Sequence, residues 1–521
     1  MIFSTTKDHN LKGITVLIIG FTVFNLILHL LSINRYGIHR DEFLYLALGQ
    51  HLSFGYMEVP PFIALVARIS TTLFGDSTAA IRIIPSLFSA MTTLLSLQMV
   101  KTIGGRHFAI AATGCLLCLS PAMLATGYLL QPVIFDQFWW TLILCSLILY
   151  FQTGNVKYLL VTGAGAGFGM LTKYAILFLI LSILAALLIS KKRTVFLKQN
   201  TWLAMLIAIL IFLPNLTWQY LYNWPVLKHM NELHEEQLTY NTAYGFLAEH
   251  LMVHGTLLLV WLPGLLLICF RKSLSTYRWL ATSFVALLFI LILLKGKAYY
   301  AFGIYPVIYA VSAYAVEQST KMLPKLRYAL LLLLSLPNIL LIPIGTPILT
   351  LSRMVTYLET LDKKYHFDAL LYWEDHKKHP LRQDYADMIG WDELLALTKQ
   401  AYNRIPAQRR KNATIFAENY GEAGAIDHLG KQAGLPPAVS LSSSFTLWAP
   451  NSVSYQDLIF IDDKGIIEEI KPLFGTAILV GQISHPYSRE LGTKVWLLQA
   501  PLADFNSRYQ YALKEKRSLH R

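Results

Sequence analysis

Two adjacent acids, Asp41 and Glu42, stand in the stretch RYGIHRDEFLYLALGQHLSFGYMEVPP, flanked by His39 and Arg40 and placed just after the first long apolar segment. Ionisable groups at the mouth of a membrane bundle are costly, which makes such a cluster a functional site by default. A further acid, Asp136 in LLQPVIFDQFWW, lies at the start of the fourth apolar segment. Carboxylates from separate loops can converge. Two of them in different surroundings are the usual equipment for moving a proton to or from a hydroxyl group, one as base and the other orienting the acceptor. In a purely structural role Asp136 would instead complement the dipole of its own helix.

Cations accompany the acids. Lys173, in GMLTKYA, interrupts an apolar hairpin, and Lys295-Gly-Lys297-Ala-Tyr299-Tyr300 opens the tenth apolar segment. Any one of these lysines could snorkel to a headgroup boundary. Three lysines and two tyrosines together suggest a site for a phosphate leaving group, because ammonium and phenol groups neutralise charge developing on phosphate oxygens. Arg82 could serve likewise, although anchoring of a helix end is its simpler role. His229, Glu232, His234, Glu235 and Glu236 do not follow the HExxH order and read as a solvated amphipathic segment. Gly163, Gly165, Gly167 and Gly169 alternate inside one segment, a spacing that signals close helix packing. No metal and no cofactor is expected.

The elements that must position these residues are membrane helices. Of 521 residues, 55% are hydrophobic and only 14% charged, against about 25% charged in soluble domains. The net charge of +13 reflects Lys and Arg in alternate loops, and no basic stripe with interleaved aromatics points to nucleic acid. Cys115, Cys118, Cys145 and Cys269 lie in or beside apolar runs, where a thiol packs as a small hydrophobe. Eleven spans fit, near residues 14–33, 78–100, 107–126, 133–152, 158–171, 174–190, 201–220, 248–270, 278–294, 299–316 and 328–347. A cytoplasmic N-terminus places every basic loop inside, among them Lys191-Lys192-Arg193 and Arg271 with Lys272. The acids of the first loop (34–77), Lys173, the Lys295–Lys297 pair and the tail then face the other side. Residues 1–347 form the expected membrane domain and 348–521 one soluble extracytoplasmic α/β domain. Its strands are expected at Ala413–Ala417, Leu458–Ile461 and Ala477–Val480, and a helix at Trp391–Ala401.

The first-loop HRDEFLYLALGQHLSFGYMEVPP, LQPVIFDQFWW, LTKYAILFL, KGKAYYAFGIYPVIYA and the tail segment IFAENYGEAGAIDHLGKQAGLPPAVSLSSSFTLWAP resemble the membrane glycosyltransferases of the GT-C type. Within that type the pattern is similar to bacterial relatives of the protein O-mannosyltransferases and lipid A aminoarabinose transferases. The resemblance implies an inverting transfer of a sugar from a polyprenyl-phosphate donor to a hydroxyl of a protein, lipid A or surface glycan, outside the bacterial inner membrane. It implies Asp41 as catalytic base, Glu42 completing the pair, Asp136 helping to hold the acceptor, and Lys173, Lys295, Lys297, Tyr299 and Tyr300 binding the donor phosphate. Glu58 in GYMEVPP departs from the family's usual Asp or His-containing version and carries no expected role. A lipid-linked sugar flippase and a glycan-binding assembly protein are the competing classes; the first favours internal repeats and acids at mid-membrane depth, and the second predicts that acid substitutions leave function unaltered.

Overall fold

The computed structural model describes residues 2–518, with side chains over 12–517. The chain forms two compact units. One comprises the stretches up to residue 33, 82–216 and 231–348; the other comprises 34–81, 217–230 and 349–521.

The first unit is helical throughout, and each of the eleven apolar runs forms helix. Among the described residues six helices are long and apolar enough to cross a membrane: Lys12–Leu30, Thr78–Thr102, Pro132–Thr153, Gln199–Leu221, Lys272–Leu293 and Ala298–Ser319. A seventh results if Ala243–Met252 and Gly255–Phe270, bent by 100° at their junction, are one span. The other expected spans form shorter helices, His107–Leu119, Val156–Met170, Ile176–Leu188 and Pro324–Leu340. The expected 107–126 segment breaks because Pro121 forces Ser120 into extended backbone (ψ 126°), where no helical turn continues. On the Gln199–Leu221 helix, Leu206, Ile209, Leu210 and Leu213 stand exposed, as a face solvated by lipid requires. The same helix explains two of the alternating glycines, while Gly165 and Gly169 face Ile143 and Ile176 of other helices. A Cβ at Gly163 would overlap the backbone of Ala204, and one at Gly167 would lie 2.7 Å from the Ile211 Cβ. The thiols are free, with Cys118 and Cys145 fully enclosed.

The second unit carries a five-stranded mixed sheet. Its strands are β1 (Thr414–Ala417), β2 (Ala438–Val439), β3 (Asp457–Asp462), β4 (Phe474–Gln482) and β5 (Lys494–Pro501), in the order β2-β1-β3-β5-β4. β1 runs parallel to β2 and β3, while β5 is antiparallel to both β3 and β4. β3 is buried along its whole length, so its sequence DLIFID shows an apolar centre without alternation. One face, through Leu458, Phe460, Phe474 and Leu498, packs on Phe505, Tyr509 and Leu513 of the last helix, Phe505–Ser518. The helices Trp391–Arg404 and Tyr420–Leu429 also pack in this unit and touch each other.

The first loop folds into this unit. Its helix Arg40–Gln50 lies on Tyr420–Leu429, and the contact is close because Gly424 meets Phe43. A Cβ at Gly424 would sit 2.8 Å from both the Cβ and the carbonyl oxygen of Phe43. The Phe43 ring continues the contact edge-on to Trp391, with centroids 5.2 Å apart.

Candidate active site

Helix Arg40–Gln50 begins with a capping box. The His39 ring nitrogen accepts the Asp41 amide hydrogen at 3.1 Å, and Glu42 Oε2 accepts the His39 amide hydrogen at 2.8 Å. Two orphan donors of the first turn are thereby satisfied. The acid pair consequently divides. Glu42 is fully buried and turns back on its own cap, whereas Asp41 projects, half-buried, toward the helix opposite.

That helix also starts with a capping box, made by Asn419 and Glu422. Tyr420, its first residue, donates its hydroxyl hydrogen to Asp41 Oδ1 at 2.8 Å. Asp41 Oδ2 accepts no hydrogen bond among the described residues. Burial, and after it the charge of Asp41, pushes the Tyr420 phenol well above its ordinary pKa, so the hydroxyl keeps its proton and remains a donor. Two helix N-termini thus meet, and both dipoles favour negative charge at Asp41.

Arginines brace the arrangement. The Arg40 guanidinium lies 5.1 Å from the Tyr420 ring centroid, and its Nε is 3.4 Å from Glu490 Oε1. Asp387 accepts from Arg489 Nη1 at 3.1 and 3.2 Å and faces His39 Nε2 at 3.6 Å, while its backbone carbonyl accepts the Arg40 amide hydrogen. Burial raises the Asp387 carboxyl even though His39 and Arg489 draw it back down. Glu58 accepts from the Ser444 hydroxyl at 2.5 Å, and the same hydroxyl oxygen accepts the Met57 amide hydrogen. Glu58 therefore fastens the VPP corner of the first loop to the tail.

The helical unit holds the other expected residues. Asp136, 3% exposed, accepts from the Trp140 indole at 2.8 Å, one turn along the same helix. Lys173 sits between two helices with its ammonium 4.5 Å from the Tyr299 ring centroid and 5.0 Å from that of Tyr300. It feels the charges of both Asp136 and Lys297. Asp136, Lys173, Lys297, Tyr299 and Tyr300 are thus brought together. Lys297 Nζ also donates to Gln237 at 2.5 Å. Lys295 differs: its backbone is left-handed (φ 52°), its carbonyl accepts from Asn241, and its ammonium donates to the Thr239 carbonyl. Arg82 is fully buried, over the Tyr128 ring and donating to the Ile33 carbonyl.

Tyr420, the partner of Asp41, and Asp387, Arg489 and Glu490, the partners of the flanking His39 and Arg40, are the residues that sequence reasoning passed over. One local signal was present: Asn419-Tyr-Gly-Glu422 spells a capping box and so marks Tyr420 as the first residue of a helix.

Comparison with known proteins finds similarity to membrane glycosyltransferases. Residues 58–218 match the family model described as dolichyl-phosphate-mannose-protein mannosyltransferase. Over 305 residues, 52% of this chain, the sequence is 27% identical to the lipid A galacturonosyltransferase RgtD of Rhizobium johnstonii; the match spans 63% of that protein's length. The crystal structure of ArnT from Cupriavidus metallidurans bound to undecaprenyl phosphate superimposes with a TM-score of 0.59 at 14% identity, over 94% of this chain and 99% of that one. The apo form gives 0.63 at 12% identity, over 93% and 98%. The chain therefore has the polytopic GT-C fold with a C-terminal domain, and the resemblance to PMT-like and ArnT-like proteins drawn from its motifs stands.

Proposed function

We propose that this PMT- and ArnT-like membrane protein is an inverting glycosyltransferase that moves a sugar from a polyprenyl-phosphate donor to lipid A at the outer face of the bacterial inner membrane. The observation that carries the reading is Asp41, one carboxylate oxygen fixed by a permanent donor and the other open. An acceptor hydroxyl at Oδ2 loses its proton to Asp41 as its oxygen bonds to the anomeric carbon. The bond from that carbon to the phosphate oxygen breaks on the opposite face, and polyprenyl phosphate leaves. Phosphate is already a good leaving group, so the reaction calls for no nucleotide site. The family resemblance assigns Lys173, Lys295, Lys297, Tyr299 and Tyr300 to the donor phosphate, whose developing charge ammonium and phenol groups neutralise. Asp136 keeps Lys173 oriented, and Glu42 maintains the helix turn from which Asp41 projects. The names of the relatives support the donor and acceptor: one acts on lipid A and one binds undecaprenyl phosphate.

Single-turnover transfer from a panel of radiolabelled polyprenyl-phosphate sugars to lipid A, in detergent-solubilised membranes, tests this. General-base assistance contributes about 10² to 10⁴ in rate, so Asp41→Asn loses that much with the fold intact. Wild type reconstituted in sealed vesicles that carries donor across the bilayer without transferring sugar overturns the proposal.

A further inference from the structure

Four acidic side chains converge beyond the end of β3: Glu418, Glu422, Asp463 and Glu490. Oxygens of Glu422, Asp463 and Glu490 lie within 4.8 Å of one another. One oxygen each of Glu422, Asp463 and Glu418 is spent on the protein. Glu422 Oε2 accepts the Asn419 amide hydrogen at 3.3 Å, Asp463 Oδ2 accepts from the Asn419 side chain at 2.9 Å, and Glu418 Oε2 accepts the amide hydrogens of Asp463 and Lys464 at 2.9 and 3.0 Å. The remaining oxygens, Glu422 Oε1, Asp463 Oδ1, Glu490 Oε1 and Glu418 Oε1, are sealed from solvent and accept no hydrogen bond. Glu422 is 0% exposed and Glu490 6%.

Buried carboxylate oxygens without partners are among the most expensive groups a protein can hold. Arg40, 3.4 Å from Glu490, is the ion-pair partner of the trio among the described residues. One ion-pair partner thus serves three carboxylates, with the charge of Arg489 also reaching Glu490. A calcium-sized ion bonds oxygens at about 2.3–2.6 Å, so two of its ligands stand up to roughly 5 Å apart. Spacing, charge and the inward oxygen of fully enclosed Glu422 agree on one occupant.

We propose that Glu422, Asp463 and Glu490 bind a hard divalent cation of the calcium class, which ties the first turn of helix Tyr420–Leu429 to the loops after β3 and before β5. The ion's role is structural, since its three ligands do not include Asp41. The competing solution for the same oxygens is a set of shared protons.

The test uses the full chain in detergent, freed of metal with EDTA. Thermal unfolding is followed while Ca²⁺ is added, and bound calcium is counted with ⁴⁵Ca²⁺. The expected result is saturable uptake of about one ion per chain, a midpoint raised by several degrees, and at least tenfold weaker binding in both Glu422→Gln and Asp463→Asn. Glu393→Gln, which alters a distant acid held by Ser484, should bind as wild type does. Two results overturn the proposal: no saturable uptake by wild type, or a calcium response unchanged in Asp463→Asn. If protons fill the site, Glu422→Gln unfolds at or above the wild-type temperature with no dependence on calcium.

Discussion

Replacing Tyr420 with Phe removes one oxygen and little else. The ring stays, and with it the face on which Arg40 rests; what is lost is the 2.8 Å hydrogen bond to Asp41 Oδ1. A hydrogen bond to a charged group contributes about 1.5–3 kcal/mol. If Asp41 must be held in one orientation to accept a proton, that energy appears in the barrier, and at 1.36 kcal/mol per factor of ten kcat/KM falls roughly 10- to 150-fold. Initial rates of sugar transfer, measured beside Asp41→Asn as a floor, read the effect. Thermal unfolding of Tyr420→Phe should stay within a few degrees of wild type. A variant that keeps the wild-type rate refutes the assignment of Tyr420 as the group that positions Asp41.

Gly424→Ala sets helix propensity against packing. The methyl would gain about 1 kcal/mol in an isolated helix, but it meets Phe43 backbone and Cβ atoms at 2.8–2.9 Å, and overpacking costs about 1–3 kcal/mol. The midpoint of unfolding should fall by a few degrees; a rise would mean that the two helices are not in contact there. Asp427 is the second case. Burial raises its carboxyl from 3.8 to about 7, opposed by the Ala438 amide hydrogen it accepts at 2.7 Å. A raised folded-state pKa contributes stability that is fully present below about pH 4 and lost as pH rises through 7. Asp427→Asn keeps an acceptor for Ala438, so it should flatten the unfolding midpoint between pH 5 and 8 and stabilise the chain at pH 8, by at most about 4 kcal/mol at 1.36 kcal/mol per pKa unit. An unchanged pH slope of the midpoint would show that Asp427 titrates normally.

The parts of this molecule that could be read from its sequence are those governed by short-range rules. Apolar runs of membrane length became helices, the alternating glycines became a packing seam, and Thr414–Ala417, Asp457–Asp462 and Trp391–Arg404 lie close to where propensity and periodicity put them. β2, of only two residues, has too little pattern to see, and β5 (KVWLLQAP) loses its alternation at its centre because adjacent Leu497 and Leu498 are buried on opposite faces. The acid pair was visible as a cluster, but its division of labour was not: that Glu42 turns inward follows from the cap geometry of His39. Lys295 was grouped with Lys297 by spacing, and a left-handed residue then sent it toward Thr239 and Asn241. Tyr420, Asp387 and Arg489 could not be paired with the first loop by any spacing rule, because nothing local in a chain records which distant turn will face it.

The bond between Tyr420 and Asp41 joins residues 379 positions apart. At a synthesis rate of about 5–20 residues per second, Asp41 waits roughly 20 to 75 s after its own peptide bond is made before its partner leaves the ribosome. Throughout that interval the first loop lacks the surface of helix Tyr420–Leu429 on which Phe43 rests, and Arg40 lacks Glu490. A nascent chain therefore inserts most of its helices with Asp41 unheld. The Asp41–Tyr420 pair forms late, when the tail folds onto a loop that was among the first segments made, and a chain cut short before residue 420 lacks the donor that fixes this carboxylate.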